Sequence, residues 1–372
     1  LEGSQESAES TVSCYCNGDV LFGKLRPYLA KAAVAESEGV CSSEILVYRP
    51  HAMDPHYLKH VMLLEGFIEE VNASTYGSKM PRADSAFISR LPVPVPPMQE
   101  QIEIAKYLDV ETNRIDFLIG EKERLLGLLS ELRGSFIRER TMGLDLEGPR
   151  KRTGNVFMPS IPSDWGLAGM GRYTKTGNGS TPLKDNADYW EGGYYPWLNS
   201  SVVNRYEVNE GSELVTDLAL KQCHLPIVPA GSVLIALTGQ GKTRGQATML
   251  RIEATINQHL AFLTPDEQWL DSEYLYWFLE GQFESLRMIS DGQGGTKGAL
   301  TCDDLKQFQI PLPMVHVQKE IAAQLYRDTG KVDALTGHVN LEIKTLHELR
   351  QATITDAVLG RIDVRDVRAS LK

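Results

Sequence analysis

The stretch Pro94-Val-Pro-Pro-Met-Gln-Glu-Gln-Ile-Glu-Ile-Ala105 returns 217 residues later as Pro311-Leu-Pro-Met-Val-His-Val-Gln-Lys-Glu-Ile-Ala322. The same offset, without a gap, carries Leu108 to Leu325, Asp116 to Asp333, Glu131-Leu132-Arg133 to Glu348-Leu349-Arg350 and Gly143 to Gly360. A fixed-offset repeat dictates architecture. A period this long describes two copies of a domain followed by a helix, not a solenoid. The prolines let a helix begin but not run through them. Beyond them apolar residues fall at heptad spacing. The first copy has Leu108, Ile115, Leu129 and Phe136, with Leu118, Leu125 and Leu132 beside them. The second has Leu325, Val332, Val339 and Leu346, with Leu335 and Leu349. Such rows form a seam for a partner helix. A helix of about 35 residues, roughly 50 Å long, cannot bury its row alone, so the two are expected to pair with each other.

Antiparallel pairing predicts a register. Lys122 interrupts the first row and Glu342 the second. Setting them opposite one another also sets Leu125 on Val339, Leu118 on Leu346, Leu129 on Leu335 and Ile115 on Leu349. A charged layer inside an apolar seam is a device that fixes register.

The chain of 372 residues has room for two cores. No apolar run approaches the roughly 20 residues of a membrane span, and nothing at Leu1 has the basic start and apolar core of a signal peptide. A cytoplasmic protein with no membrane partner is expected. The five cysteines, Cys14, Cys16, Cys41, Cys223 and Cys302, are scattered, and Cys14-x-Cys16 lacks a second pair to complete a zinc site. The net charge of −11 gives no support to nucleic-acid binding. Any DNA contact must come through a local patch or with basic partners.

Residues 1–96 alternate strand and turn signals, and the long helix is assigned to 97–145. A second globular unit over 146–313 retraces the first, and 314–372 hold the second helix and a tail. Gly231-Ser-Val-Leu-Ile echoes Gly18-Asp-Val-Leu-Phe, Asn257-Gln258 echoes Ser42-Ser43, and Gly295-Thr296-Lys297 echoes Gly77-Ser78-Lys79. Counterparts of residues 161 to about 213 are missing from the first half, which reads as truncated by about 50 residues against an ordinary domain.

The run Ala236-Leu-Thr-Gly-Gln-Gly-Lys242-Thr243 is close to a phosphate-binding loop. That loop needs a following helix to aim its N–H groups at phosphate. Thr243-Arg-Gly-Gln-Ala-Thr-Met-Leu has no helical stripe, so a nucleotide hydrolase is set aside. The segment makes better sense as a loop between strands carrying Gln240, Lys242, Arg244 and Gln246, with Lys24 and Arg26 at the equivalent point of the first half. Lysine and arginine suit phosphate or guanine, and glutamine suits adenine. Ser78-Lys79 and Thr296-Lys297 offer hydroxyl and ammonium beside glycine, a combination that approaches phosphate closely. Trp190 and Trp197 are candidates for base stacking, though indoles more often fill cores. His56 and His60 lack the adjacent glutamate of a zinc-protease helix and read as surface or packing residues. No methyltransferase motif, dinucleotide fingerprint or nucleophile elbow is present, so no enzyme is expected.

These motifs together resemble the specificity subunit of a type I restriction–modification system. The resemblance rests on Leu91-Pro-Val-Pro-Val-Pro-Pro-Met-Gln-Glu-Gln-Ile, the helix ending in Glu-Leu-Arg, and Gly360-Arg-Ile-Asp-Val. Phe22-Gly-Lys-Leu-Arg-Pro-Tyr28, Pro162-x-x-Trp165 and Gly179-x-Thr181-Pro182 are similar to that family's target-recognition domains, which adds Tyr28 and Thr181 to the DNA-binding candidates. The resemblance implies an α+β fold in which two target-recognition domains are joined by two long helices pairing as an antiparallel coiled coil, a pseudo-twofold internal repeat. It implies a non-catalytic subunit with no cofactor of its own that reads a bipartite site in double-stranded DNA. Its expected partners are two methyltransferase subunits carrying S-adenosylmethionine and, through them, a restriction/translocase subunit. The rival reading is a coiled-coil scaffold with protein-binding heads, which predicts no salt-dependent affinity for DNA.

Overall fold

The computed structural model describes residues 12–77, 80–211, 213–239, 243–291 and 298–365. Two helices of 44 residues, Met98–Thr141 and Val315–Val358, stand where the repeat places them. Both begin just beyond the prolines. Both end on a glycine in the left-handed region, Gly143 at φ +59° and Gly360 at φ +67°. The N–H of Leu144 reaches back to Glu139 O at 2.7 Å and that of Arg361 to Asp356 O at 2.8 Å, so each glycine closes the helix with the six-residue bond of a Schellman end.

The chain divides into two compact units, residues 1–126 with 337–372, and residues 127–336. Each unit therefore combines one head with part of each long helix. In unit 1, Lys122 Nζ lies 2.5 Å from Glu342 Oε2 and Arg350 Nε lies 2.8 Å from Asp116 Oδ1. Partner numbers fall as those of the first helix rise, which is antiparallel pairing. In unit 2, Arg133 Nε meets Asp333 Oδ1 at 2.9 Å and Arg140 Nη2 meets Asp328 Oδ2 at 3.7 Å, antiparallel again. Arg133–Asp333 and Arg350–Asp116 are one pair with the copies exchanged, the signature of a pseudo-twofold repeat.

The seam itself needs a correction. Leu108, Ile115, Leu129, Leu325, Val332 and Val339 are buried as expected. The second row is not the leucine row. Leu118, Leu132, Leu335 and Leu349 are 39 to 51% exposed, so the proposed Leu118–Leu346, Leu129–Leu335 and Ile115–Leu349 contacts are not sealed. The row beside the buried one lies one residue further on, at Thr112, Ile119 and Leu126 and at Thr329 and Ile343. Thr112 and Thr329 return their hydroxyls to the carbonyls of Leu108 and Leu325 at 2.6 Å, which lets a polar residue occupy a buried position. An apolar count alone passes over them.

The Lys122–Glu342 pair is 34% and 53% exposed, so its strength is that of a surface pair, at most about 1 kcal/mol. Lys122→Glu should lower the urea midpoint of unit 1 slightly at low salt. The double exchange Lys122→Glu/Glu342→Lys should restore it, and high salt should erase the difference. A single variant indistinguishable from wild type at low salt would remove this pair from the determinants of register.

Each head packs on its helices through the same clamp. In unit 2, Asp271 caps the helix Ser272–Gly281 by accepting from Tyr274 N at 3.0 Å, and the buried Gln318 accepts from Asp271 N at 2.8 Å. Gln318 also donates to Trp269 O and Pro313 O, while the Tyr274 hydroxyl donates to Pro311 O. Unit 1 repeats the arrangement with Asp54, Tyr57, Gln101, Pro94 and Pro96.

Unit 2 is built on a five-stranded sheet in the order Glu207–Val208, Ala247–Leu250, Val233–Ala236, Leu260–Pro265, Thr174–Asn178. Its central strand is apolar at every position because both faces are covered. Val233 and Ile235 face Tyr274, Phe278, Ile137 and Leu325, while Leu234 and Ala236 pack with Val202, Val203 and Val208. In unit 1 the sheet has three strands, Ala32–Val34, Val20–Gly23 and Ile45–Tyr48. Val20 and Phe22 are fully buried against Met62, Val71 and Ile88, whereas Leu21 on the other face is half-buried. The segment that covers that face in unit 2 falls within the residues without counterpart in the first half. No helix among the described residues is long and apolar enough to cross a membrane.

Candidate nucleic-acid interface

In unit 1 the candidate residues sit on the turn that joins the strand Val20–Gly23 to Ala32–Val34. Gly23 N donates to Lys31 O at 3.0 Å, closing the base of the turn. Pro27–Leu29 form a short 3-10 turn with Pro27 buried, so Arg26 and Tyr28 are pushed outward and both are exposed. Arg26 holds a left-handed backbone at φ +52°, a conformation that is strained for a non-glycine residue. Its N–H is fixed to Pro81 O at 2.8 Å. Lys24 is half-buried and its main chain bridges two segments, donating to Glu44 O and accepting from Ala83 N, each at 2.9 Å. Nearby, Arg82 Nε contacts both Glu44 carboxylate oxygens at 3.0 Å, so that cation is already committed.

In unit 2 the equivalent segment joins Val233–Ala236 to Ala247–Leu250, two antiparallel strands. No helix follows Thr243, so the geometry of a phosphate loop is absent there. Gln240 and Lys242 lie outside the described residues, as do Ser78, Lys79, Thr296 and Lys297. Arg244 and Gln246 require a correction. Arg244 is 6% exposed and its guanidinium contacts the exposed Asp291 at 2.5 Å, so that cation is already paired. Gln246 lines a recess with Arg133, Ile137 and Gly281 rather than an open face. Both precede the strand Ala247–Leu250, and the left-handed Gly245 between them at φ +87° turns the chain there.

Thr181 is exposed and belongs to a hydrogen-bonded row that the sequence did not reveal. Its hydroxyl donates to Gln258 Oε1 at 2.5 Å. Gln258 Nε2 lies 3.3 Å from His259 Nε2, and His259 Nδ1 lies 2.9 Å from the Thr238 hydroxyl. Gln258 and His259 are exposed, and Gly179 N and Ser180 N bond to Asn257 O and Ile256 O beneath them. The row is a pre-oriented set of donors and acceptors, the requirement for reading base edges. The echo of Ser42-Ser43 in Asn257-Gln258 was its only trace. Trp190 and Trp197 are not free to stack on a base. Trp197 is 3% exposed, and Trp190 packs edge-on against it at 5.3 Å with its indole N–H on Leu183 O.

The helix Pro55–Met62 carries a polar cluster whose equivalent positions in unit 2 hold different residues. Asp109 receives His56 Nδ1 at 3.1 Å, Lys59 Nζ at 2.6 Å and His60 Nε2 at 2.8 Å. The repeat places Trp277 and Tyr326 at the positions of His60 and Asp109. His60 is 1% exposed and its Nδ1 is buried without a hydrogen-bond partner. Burial therefore holds the imidazole below its ordinary 6.5, Lys59 lowers it further, and the Asp109 hydrogen bond works against both. Burial works to raise Asp109, but the bonds from His60 and Lys59 outweigh it and the carboxyl falls below its usual range. A histidine harder to protonate when folded stabilises the fold above its unfolded 6.5, and that contribution is lost as pH falls from there through the lower folded value. The urea midpoint of unit 1 should therefore drop between about pH 7.5 and about pH 5.5, and His60→Phe should flatten that slope. An equally steep slope in His60→Phe would exonerate His60.

Comparison with known proteins supplies the remaining finding. A family model described as type I restriction modification DNA specificity domain matches residues 8–126 and 162–345. The type I restriction enzyme EcoR124I/EcoR124II specificity subunit of Escherichia coli is 25% identical over 183 residues, 49% of this chain and 44% of that protein. The match thus spans less than half the length of that relative. The putative type I restriction enzyme MjaX specificity subunit of Methanocaldococcus jannaschii is 24% identical over 362 residues, 94% of this chain and 79% of that protein. A chain in a solved type I R-M system, studied for complex assembly and conformational transition, superposes with a TM-score of 0.69 at 21% identity, covering 95% of this chain and 85% of that one. At that identity the likeness concerns the fold.

Proposed function

Because the chain belongs to the type I restriction modification DNA specificity domain family, we propose that it is the non-catalytic DNA-reading subunit of a modification and restriction complex. Each of its two compact units reads one part of a split site in duplex DNA. The observation that carries this reading is the repeat itself: one clamp and one helix register occur twice, while the exposed residues differ between the heads. Unit 1 offers Lys24, Arg26 and Tyr28 on a pinned turn, and unit 2 offers Thr181, Gln258 and His259 in a hydrogen-bonded row. Similar scaffolds carrying dissimilar tips suit two different short sequences.

The chain's net charge of −11 leaves much of the phosphate neutralisation to partners. Methyltransferase subunits that bring S-adenosylmethionine are the proposed partners, with a restriction/translocase subunit recruited through them. Phe117 and Leu118, which stay exposed on the first long helix within unit 1, are the proposed docking face.

Selection from a pool of random duplexes, with the chain mixed with its modification subunits at two salt concentrations, tests the reading. Enrichment of a split motif with a fixed gap, weakening as salt rises, is the expected result. No enrichment and no salt dependence would favour a scaffold that binds protein.

A further inference from the structure

The tip of the unit 1 turn has a shape that phosphate contacts alone do not call for. Tyr28 and Leu29 stand side by side at 53% and 48% exposure, two bulky side chains on the short turn Pro27–Leu29, whose other side packs against the helix Glu65–Ala73. They are held stiffly. Leu29 N donates to Arg26 O at 2.9 Å and Ala30 N to Pro27 O at 2.8 Å. Left-handed residues bracket the pair, Arg26 at φ +52° and Ala30 at φ +46°. Neither is glycine, so each carries a conformational cost that its surroundings must hold in place. Arg26 and Lys31, both exposed, flank the pair with positive charge.

Two exposed bulky side chains on a stiff turn, with a cation on either side in the chain, match one feature of duplex DNA. An apolar side chain pressed between two base pairs unstacks the step and bends the helix, while adjacent cations take the phosphates on either side. Resting on the reading above, we infer that Tyr28 and Leu29 form a wedge that enters a base step in the part of the site read by unit 1. The wedge makes that half sensitive to deformability as well as to base edges, because pyrimidine–purine steps open more readily than others. An acidic protein surface with an apolar pocket would present similar chemistry, and the test separates the two.

The experiment uses the chain assembled with its modification subunits and duplexes of the selected site carrying 2-aminopurine at successive positions. The expected result is a rise in fluorescence at one step within one half, absent in Tyr28→Ala/Leu29→Ala, with binding weakened about tenfold or more. Tyr28→Phe should keep the unstacking signal, and thermal melting should show the alanine variant folded. Tight, sequence-specific binding without unstacking at any position would overturn the wedge and leave the reading intact. Absence of sequence-specific binding in wild type would overturn the reading itself. An alanine variant that binds modification subunits poorly but leaves the unstacking signal unchanged in whatever complex forms would assign the tip to protein contact and overturn the wedge.

Discussion

Gln318→Leu should destabilise unit 2 by about 3–5 kcal/mol, with a fall in melting temperature on the order of 10 °C. The side chain is completely buried and uses both ends. Its oxygen accepts from Asp271 N, and its amide donates to Trp269 O and Pro313 O, at 2.8 to 2.9 Å. Leucine is similar in volume, so the cavity contribution is small. What remains is one N–H and two carbonyls stripped of a partner, and each buried unsatisfied group costs about 1–3 kcal/mol. Gln101→Leu should cost less, about 2–4 kcal/mol, because its amide serves Pro96 O alone while its oxygen accepts from Asp54 N. Urea unfolding followed by probes in each unit measures both. A loss below about 1 kcal/mol for Gln318→Leu would mean that the clamp relaxes around the gap. The ordering of the two variants is the sharper part of the expectation, since the backbone context is shared.

Gln101 and Gln318 were visible in the sequence only as matching letters. The offset located both helices, their start beyond the prolines and their end at Gly143 and Gly360, because those signals are local. The head-to-helix clamp was not legible. It joins Gln318 to Asp271 and Gln101 to Asp54, 47 residues apart in each case, and no periodicity links such positions. The helix seam was half legible. Leucine and valine marked one row correctly, but the neighbouring row mixes Ile119, Leu126 and Ile343 with Thr112, Thr329, Arg133 and Arg350, whose polar groups are satisfied by back-bonds or by Asp333 and Asp116. The candidate interface divided in the same way. Arg26 and Tyr28 face outward because buried Pro27 anchors the turn between them. Arg244 and Gln246 face inward, and residue type carries no information about that direction. His60 looked like a surface or packing residue because its partner Asp109 lies 49 residues further on.

Substitutions in the two heads should damage different parts of the recognised site. Arg26→Ala removes an exposed cation from a pinned turn. If it meets phosphate, affinity should fall across all sequences and the dependence on salt should weaken by about one ion. If it meets guanine, discrimination of about 1–3 kcal/mol should vanish at one base pair in the unit 1 half. Gln258→Ala breaks the row in unit 2 at its centre, freeing the Thr181 hydroxyl and leaving His259 held by Thr238 alone on its ring. It should relax specificity within the other half by a similar amount while leaving the salt dependence unchanged. The row is already ordered without DNA, so little rotamer entropy remains to be lost on binding, and the contact keeps most of its gross strength. Since the residues belong to separate compact units, the double variant should show additive losses within about 0.5 kcal/mol. Selection from random duplexes with each variant reads these outcomes directly. Both substitutions eroding the same half would contradict the assignment of one half to each unit. A large departure from additivity would mean that occupation of one half changes how the other is read.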